Sequence, residues 1–305
     1  MKQVDAIFTA DWHVRLDRPV CRTDDYMAAQ NQAMLEIKQT LFKYRVPIFA
    51  AGDIFHHWKP PPELLRWAFL NFPPLVAIPG QHDLPSNSID NADRAGVFVL
   101  DAASQAEMGV PECRWIIFRD VGVYNCGKTN VTAFPFGVDP VPLKKRAAKR
   151  EIAMCHTLTW HKDAPPGQDS GSALALLKRL EGFDVVLVGD NHQSFVVEHD
   201  GRILVSPGSM MRMNADQANH KPRVYLYHAE DNTVTPHYLP IEQGVITREH
   251  LTKVEERDTR LDAFVTRLND DWEVGLSFEK NMKAFFRKNR VRRSVRQLVM
   301  EAMGQ

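Results

Sequence analysis

Short apolar runs punctuate this chain, and most of them stop at a glycine, an aspartate or a histidine. Ala6-Ile7-Phe8-Thr9 leads to Asp11, Pro47-Ile48-Phe49-Ala50-Ala51 to Gly52-Asp53, and Leu75-Val76-Ala77-Ile78 to Pro79-Gly80. Between them the apolar period changes from continuous to helical. Met27, Met34, Ile37 and Leu41 recur at threes, fours and sevens and predict a helix over 25–44. Pro60-Pro61-Pro62 opens a shorter helix near 63–71, since proline is tolerated at a helix start. This strand-helix alternation predicts parallel strands joined by right-handed crossovers. In open α/β sheets the site lies off the carboxyl ends of the strands, where Asp11, Asp53 and Gln81 fall.

Further along, helices thin out. Strands are predicted at 115–118, 122–125, 131–134, around 152–154 and at 185–188, with a helix at 170–181. Runs at 195–198, 203–205, 224–227 and 234–238 are separated by turn signals such as Asp200-Gly201. They suggest a second, largely meandering sheet packed on the first. The expected class is therefore α/β, with two packed mixed sheets flanked by helices. From about 245 the pattern changes again. Leu261, Phe264, Val265 and Leu268 form one helical face, and Val295, Leu298, Val299 and Ala302 another. Residues 1–244 are expected to form the main domain and 245–305 a small helical appendage.

Composition adds limits. The chain has 305 residues, 44% hydrophobic and 25% charged, as in ordinary globular proteins. No apolar run approaches the ~18 residues that a membrane span needs. Neither a signal peptide nor a membrane partner is expected, and Cys21, Cys113, Cys126 and Cys155 form no C-x-x-C pair, so a reducing, cytoplasmic setting is expected. Formal net charge is zero, but residues 280–296 hold eight basic side chains and no acid. Lys283, Arg287, Lys288, Arg290, Arg292 and Arg293 are the candidates there for contact with an anionic partner such as nucleic acid. A solvated helix face is the competing account.

The chemistry lies in five patches: Asp11-Trp12-His13, Gly52-Asp53, Gln81-His82-Asp83, Cys155-His156 and Gly189-Asp190-Asn191-His192. Each brings a carboxylate, imidazole or amide to a strand end. In Asp11/His13 and Asp190/His192 the two members stand two apart, so on an extended strand both side chains would point the same way. Any one patch is an ordinary turn or surface feature; five in one α/β chain are not. Two divalent ions about 3.5–4 Å apart make a site that activates water and clamps a phosphate. Imidazole titrates near neutral pH, so His82 is suited to protonate a leaving oxygen.

In motif order the chain resembles the calcineurin-like metallophosphoesterases, whose patterns are D-x-H, G-D, G-N-H-(D/E), H and G-H-x-H. It looks most like the SbcD-type nuclease subunit of double-strand-break repair complexes, through Gly52-Asp53-Ile54-Phe55-His56, Pro79-Gly80-Gln81-His82-Asp83-Leu84-Pro85 and Ser206-Pro207-Gly208-Ser209. The resemblance spans about residues 4–240. It implies one metal on Asp11, His13, Asp53 and His192, and a second on Asp53, Gln81, His156 and Asp190. It further implies attack by a hydroxide activated between the metals, assistance from His82, and positioning of nucleic acid by His56. The implied activity is a DNA nuclease with 3′-to-5′ exonuclease and single-strand endonuclease action in repair or recombination. The implied partners are DNA, a second copy of the chain and an SbcC-type coiled-coil ATPase. Two positions depart from the family, which usually has asparagine at Gln81 and histidine at Asp190. The added oxygen ligation tilts the expected ions toward manganese or magnesium rather than zinc. The same core would serve a phosphoesterase of nucleotides or phosphoproteins, and a scaffold with a degenerate site is the non-enzymatic alternative.

Overall fold

A computed structural model describes residues 2–106, 115–161, 171–249, 251–252, 259–262 and 278–302. The chain divides into two compact units, Met1–Thr247 and Arg248–Gln305.

In the first unit the elements run β1 (Ala6–Thr9), α1 (Tyr26–Tyr44), β2 (Ile48–Ala51), α2 (Pro62–Asn71), β3 (Leu75–Ile78), α3 (Val97–Ala106) and β4 (Trp115–Ile117). They continue with β5 (Gly122–Cys126), β6 (Thr129–Phe134), β7 (Arg150–His156), β8 (Thr159–Trp160), β9 (Gly171–Ser172), α4 (Ala173–Arg179) and β10 (Val185–Gly189). The last strands are β11 (Phe195–His199), β12 (Arg202–Ser206), β13 (Arg223–His228) and β14 (Thr233–Tyr238).

Two six-stranded mixed sheets carry the fold, in the orders β14-β13-β1-β2-β3-β4 and β11-β12-β10-β7-β6-β5. Strands β1 to β4 are parallel, as the strand-helix alternation predicts. Two expectations needed correction. The hairpin β13–β14 does not belong to the second sheet; it joins the first, antiparallel to β1. The second sheet is also no meander, since β6, β7, β10 and β12 are mutually parallel neighbours. Local pattern fixes that a run is a strand, but its partner is a long-range choice.

Alternate residues of the strands face opposite layers. On β1, Ala6 and Phe8 enter the core between the sheets, with Phe49, Val76, Met154, Leu187 and Val205. Ile7 faces the helix layer, where Met34 and Ile37 of α1, Leu64 and Ala68 of α2 and Leu100 of α3 cover the first sheet. On the far side Leu176 and Leu177 of α4 cover Ala153, Val186 and Leu204. Both faces of the central strands are thus buried, which explains why they read as unbroken apolar runs. The layers are helix, sheet, sheet, helix.

In the second unit, α5 (Phe278–Lys288) and α6 (Arg293–Ala302) form a helical pair with its own small core: Met282, Phe285 and Phe286 against Val291, Val299 and Met300. Of the expected α6 stripe, Val299 joins that core, whereas Val295 and Leu298 are exposed. The face of Leu261, Phe264, Val265 and Leu268 lies mostly outside the described residues, with Leu261 exposed. Among the described residues no helix is long and apolar enough to cross a membrane. Cys21, Cys126 and Cys155 are free thiols, and Cys113 falls outside the described residues.

Candidate metal centre

Five strand ends meet at one edge of the double sheet. The loops after β1 and β2 run side by side, with Asp11 N donating to Gly52 O at 3.0 Å and His13 N to Asp53 O at 2.9 Å. Spacing on an extended strand does not bring Asp11 and His13 together, as the sequence predicted. The strand has already ended, and both residues take left-handed backbone, φ 49° and 45°. Asp53 (φ 52°) and Asp190 (φ 83°) do the same. Four of the seven predicted ligands therefore sit where L-residues are rarely found, a strain that accumulates at functional sites.

Glycines make room for this crowding. Gly52 itself has φ +93°, and a Cβ there would collide with the His156 ring. A Cβ on Gly80 would overlap the Asp53 carboxylate and its amide nitrogen.

Each central carboxylate has one oxygen held and one free. Asp53 Oδ1 accepts from His82 N at 2.9 Å, and Asp11 Oδ1 accepts from Asp190 N at 2.9 Å. Asp11 Oδ2 and Asp53 Oδ2 are buried with no hydrogen-bond partner. Asp53 Oδ2 stands 3.4 Å from both His13 Nε2 and His156 Nε2, between two imidazoles. His13 Nε2 in turn lies 3.0 Å from His192 Nε2. Two ring nitrogens that close require a proton or a cation between them. His156 donates Nδ1–H to Ala51 O at 2.6 Å, since a carbonyl only accepts. With Nδ1 committed, Nε2 is the nitrogen that faces the Asp53 carboxylate, 3.4 Å away, and the one that would bind a metal after giving up its proton.

Gln81 and Asp190 also meet. Gln81 Nε2 donates to Asp190 Oδ1 at 2.7 Å, while Gln81 Oε1 is buried and unpartnered. The two unusual residues thus form one hydrogen-bonded pair, which commits the amide nitrogen and leaves the amide oxygen as the unpaired atom.

The electrostatics follow from burial. Asp11 is pushed well up, chiefly by burial, with Asp53 and Asp190 adding repulsion. For His156, burial opposes the charge, but Asp53, Asp11 and Asp190 outweigh it and raise its pKa to about 10. Burial lowers His13 and His192 despite nearby Asp53, keeping both as neutral imidazoles. A pocket that holds an extra proton against burial is a pocket that attracts cations.

These residues fit divalent metal ions. Two groups of potential ligand atoms, Asp11/His13/His192 and Asp11/Asp53/His156, each lie within 4.8 Å of one another. The donors are carboxylate, imidazole and amide oxygen, with no thiolate, which suits manganese, magnesium or zinc before copper.

Beside them stands a second imidazole group. His13, His56 and His82 bring ring nitrogens within 4.8 Å. His82 donates Nδ1–H to His56 O at 3.0 Å, and the His56 and His82 rings stack at 5.4 Å. Arg15 Nη1 donates to His56 Nε2 at 2.8 Å. Burial and that guanidinium lower His56 to about 4, so the ring is neutral and its hydrogen is on Nδ1, which has no partner.

Sequence reasoning missed two supports. Asp83 is buried and accepts from Ile54 N, Phe55 N and Gly80 N at 2.9–3.0 Å, tying the Asp53 loop to the Gln81 loop. The sequence marked it only as the acid closing the Gln81-His82-Asp83 patch, with no role assigned. Arg15, two residues past His13, carried none. The Pro207-Gly208-Ser209 turn supports His192, with Ser209 N donating to His192 O at 3.2 Å.

In the second unit, Lys283, Arg287, Lys288, Arg290, Arg292 and Arg293 are all exposed. Lys283 forms an ion pair with Glu279 one turn away. The other five lie on α5, on α6 and in the turn between them.

No family model matches the sequence, and no curated protein matches it. Among solved structures, an archaeal phosphodiesterase is similar at 12% identity with TM-score 0.41, over 77% of this chain and 99% of the other. A Staphylococcus aureus protein assigned as a 5′-nucleotidase is similar at 13% identity with TM-score 0.43, over 83% of this chain and 58% of the other. The anchor in the inner membrane complex of Plasmodium is similar at 13% identity with TM-score 0.41, over 80% of this chain and 90% of its own.

Proposed function

We propose that the chain is a metal-dependent phosphodiesterase of the calcineurin-like kind, acting as a nuclease on DNA ends. One observation carries this reading. Five of the predicted ligands, Asp11, His13, Asp53, Gln81 and His156, each keep a buried polar atom with no hydrogen-bond partner. Leaving such groups unsatisfied costs about 1–3 kcal/mol each, more for charged ones. Five together at one edge are a site built for something absent from the chain.

Asp11, His13, Asp53 and His192 would hold one divalent ion, and Asp53, Gln81, His156 and Asp190 the other. Such ions supply activation of a water and polarisation of the phosphate. The chain's own residues do the rest. Asp53 would belong to both sets: its unpaired Oδ2 stands between His13 and His156, while the His82 amide fixes Oδ1. His82, anchored through Nδ1, has Nε2 left to exchange a proton with the leaving oxygen. His56 offers Nδ1–H to an oxygen of the substrate, its ring held by Arg15.

The preference for DNA is supported by the α5–α6 unit, whose exposed cations suit a phosphate backbone. An assay on end-labelled double- and single-stranded DNA, with manganese, magnesium or chelator, tests the reading. The expected result is metal-dependent shortening from the 3′ end, absent in Asp53→Asn. Equal cleavage by parent and Asp53→Asn would overturn the mechanism. Turnover of mononucleotides with none of DNA would shift the assignment to a nucleotide phosphoesterase.

A further inference from the structure

A polar cavity of about 320 Å³ opens beside His192, lined by Gln193, Asn219, Lys221 and Arg223 among others, with Asp216 as its acid. We infer that this cavity is a subsite for one nucleotide unit of a nucleic-acid strand, adjoining the scissile phosphate. The inference rests on the phosphodiesterase reading and adds to it where the substrate lies and which side chains select it.

Three features carry it. First, the cavity and the candidate metal centre share His192, so a strand with a phosphate at that centre would have its neighbouring unit within reach of this wall. Second, the wall is braced to that same histidine. Ser209 N donates to His192 O, His220 donates Nε2–H to Ser209 O at 2.9 Å, and Gln217 Nε2 donates to Ser209 Oγ at 2.9 Å. A substrate bound to this wall is therefore held in register with the metals, as orientation at a reacting centre requires.

Third, the lining chemistry matches a nucleotide. Lys221 is exposed, and Arg223 is steadied by its Nε–H to Lys221 O and by the Tyr238 ring at 4.8 Å. These cations suit the next phosphate along a strand. Gln193 and Asn219 carry amides, each with donors and an acceptor, the groups that read base edges and sugar hydroxyls. The amide ends of Gln193 and Asn219 and the Lys221 amine make no hydrogen bond to another described residue. The volume is at the small end of ligand pockets, about 300–1,000 Å³. That suits one nucleotide unit of a strand running across it, not a folded protein segment.

The test uses the full chain with manganese and three diesters: a bis-aryl phosphate, an aryl ester of a single nucleotide, and a short single-stranded oligonucleotide. Lys221→Ala and Asn219→Ala are compared with the parent, with Lys221→Arg as the charge-conserving control. KM for the oligonucleotide is expected to rise about tenfold in Lys221→Ala, the effect of one charge-assisted contact, with kcat nearly unchanged. The rise is expected to be several-fold smaller for the bis-aryl phosphate, and Lys221→Arg is expected to recover most of it. Equal KM shifts for all three diesters, no shift for any, or a shift for the single nucleotide without one for the oligonucleotide would overturn the inference. Binding of a fluorescent oligonucleotide with calcium in place of manganese is read alongside. If the parent turns over no diester, the phosphodiesterase reading falls, and the binding arm still decides the subsite: unchanged affinity in Lys221→Ala overturns it, and about tenfold weaker affinity supports it.

Discussion

The metal end of the first unit and the α5–α6 pair both gather polar residues, but in opposite ways. At the metal end Asp11, Asp53, His13 and His156 are buried, and several of their atoms lack partners. In α5–α6 the cations point outward around a core of Met282, Phe285 and Phe286. Burial raises the worth of every charge and so serves chemistry, which needs fixed donors in low dielectric. Exposure keeps charges solvated and serves long-range attraction to an anion, which needs little geometry. One region therefore responds to single atoms, the other to summed charge.

The sharpest way to break this contrast is Asp53→Ala, which removes the carboxylate lying between His13 and His156. Turnover is expected to fall by about a thousandfold or more, as for a group on which other catalytic residues depend. Stabilisation by metal, about 2.7 kcal/mol at a hundredfold excess over Kd, is expected to vanish in thermal unfolding scans. A variant that keeps the full metal-induced rise in Tm would show that Asp53 is no ligand.

Next in size is Asp83→Ala. It leaves three buried N–H groups unpaired, those of Ile54, Phe55 and Gly80. Each costs about 1–3 kcal/mol, and the loop carrying Asp53 loses its anchor. Unfolding by denaturant measures the first effect. Metal titration measures the second, where supporting residues are typically worth about 10- to 100-fold in affinity.

The pH dependence sharpens the same point. His156 is raised to about 10 and Asp11 is raised as well, so both hold protons in the metal-free chain at neutral pH. An entering ion must displace them. Affinity is therefore expected to weaken as pH falls below about 10, with protons released on binding. Calorimetry in buffers of different ionisation enthalpy measures that release. Proton uptake on binding would contradict the assignment.

The smallest effect is expected in the α5–α6 pair. Replacing Arg292 and Arg293 by alanine removes two charges and is expected to flatten the dependence of log K on log salt by at most about 1.8 for duplex DNA. The measurement is anisotropy of labelled DNA across a salt series. An unchanged slope would make this basic face merely solvated.

Much of the architecture was legible in the sequence because local rules govern it. Four apolar residues followed by Gly52-Asp53 read as a buried strand with a turn, and β2 is that strand. Residues 25–44 read as a helix from their period, and α1 runs Tyr26–Tyr44 with Asp25 as its cap. The strand ends bearing Asp11, Asp53, Gln81, His156, Asp190 and His192 could each be marked for the same reason. The meeting of Gln81 with Asp190 could not. The two are far apart in sequence, and only packing brings the β3 and β10 ends to a shared edge. The anchoring of Asp83 and the contact of Arg15 with His56 were hidden likewise.

The sequence by itself determined most of the strands and helices, though not α3 or the β8–β9 pair, where the apolar faces lie, and which residues carry metal-binding chemistry. These depend on period, on turn residues and on the atoms of each side chain. Only the tertiary structure decided that β13 and β14 close the first sheet, that Asp11, His13, Asp53 and Asp190 turn inward through left-handed backbone, and which oxygens stay unpaired. Strand partners and strained dihedrals are set by the balance of the whole core, which no local stretch of chain contains.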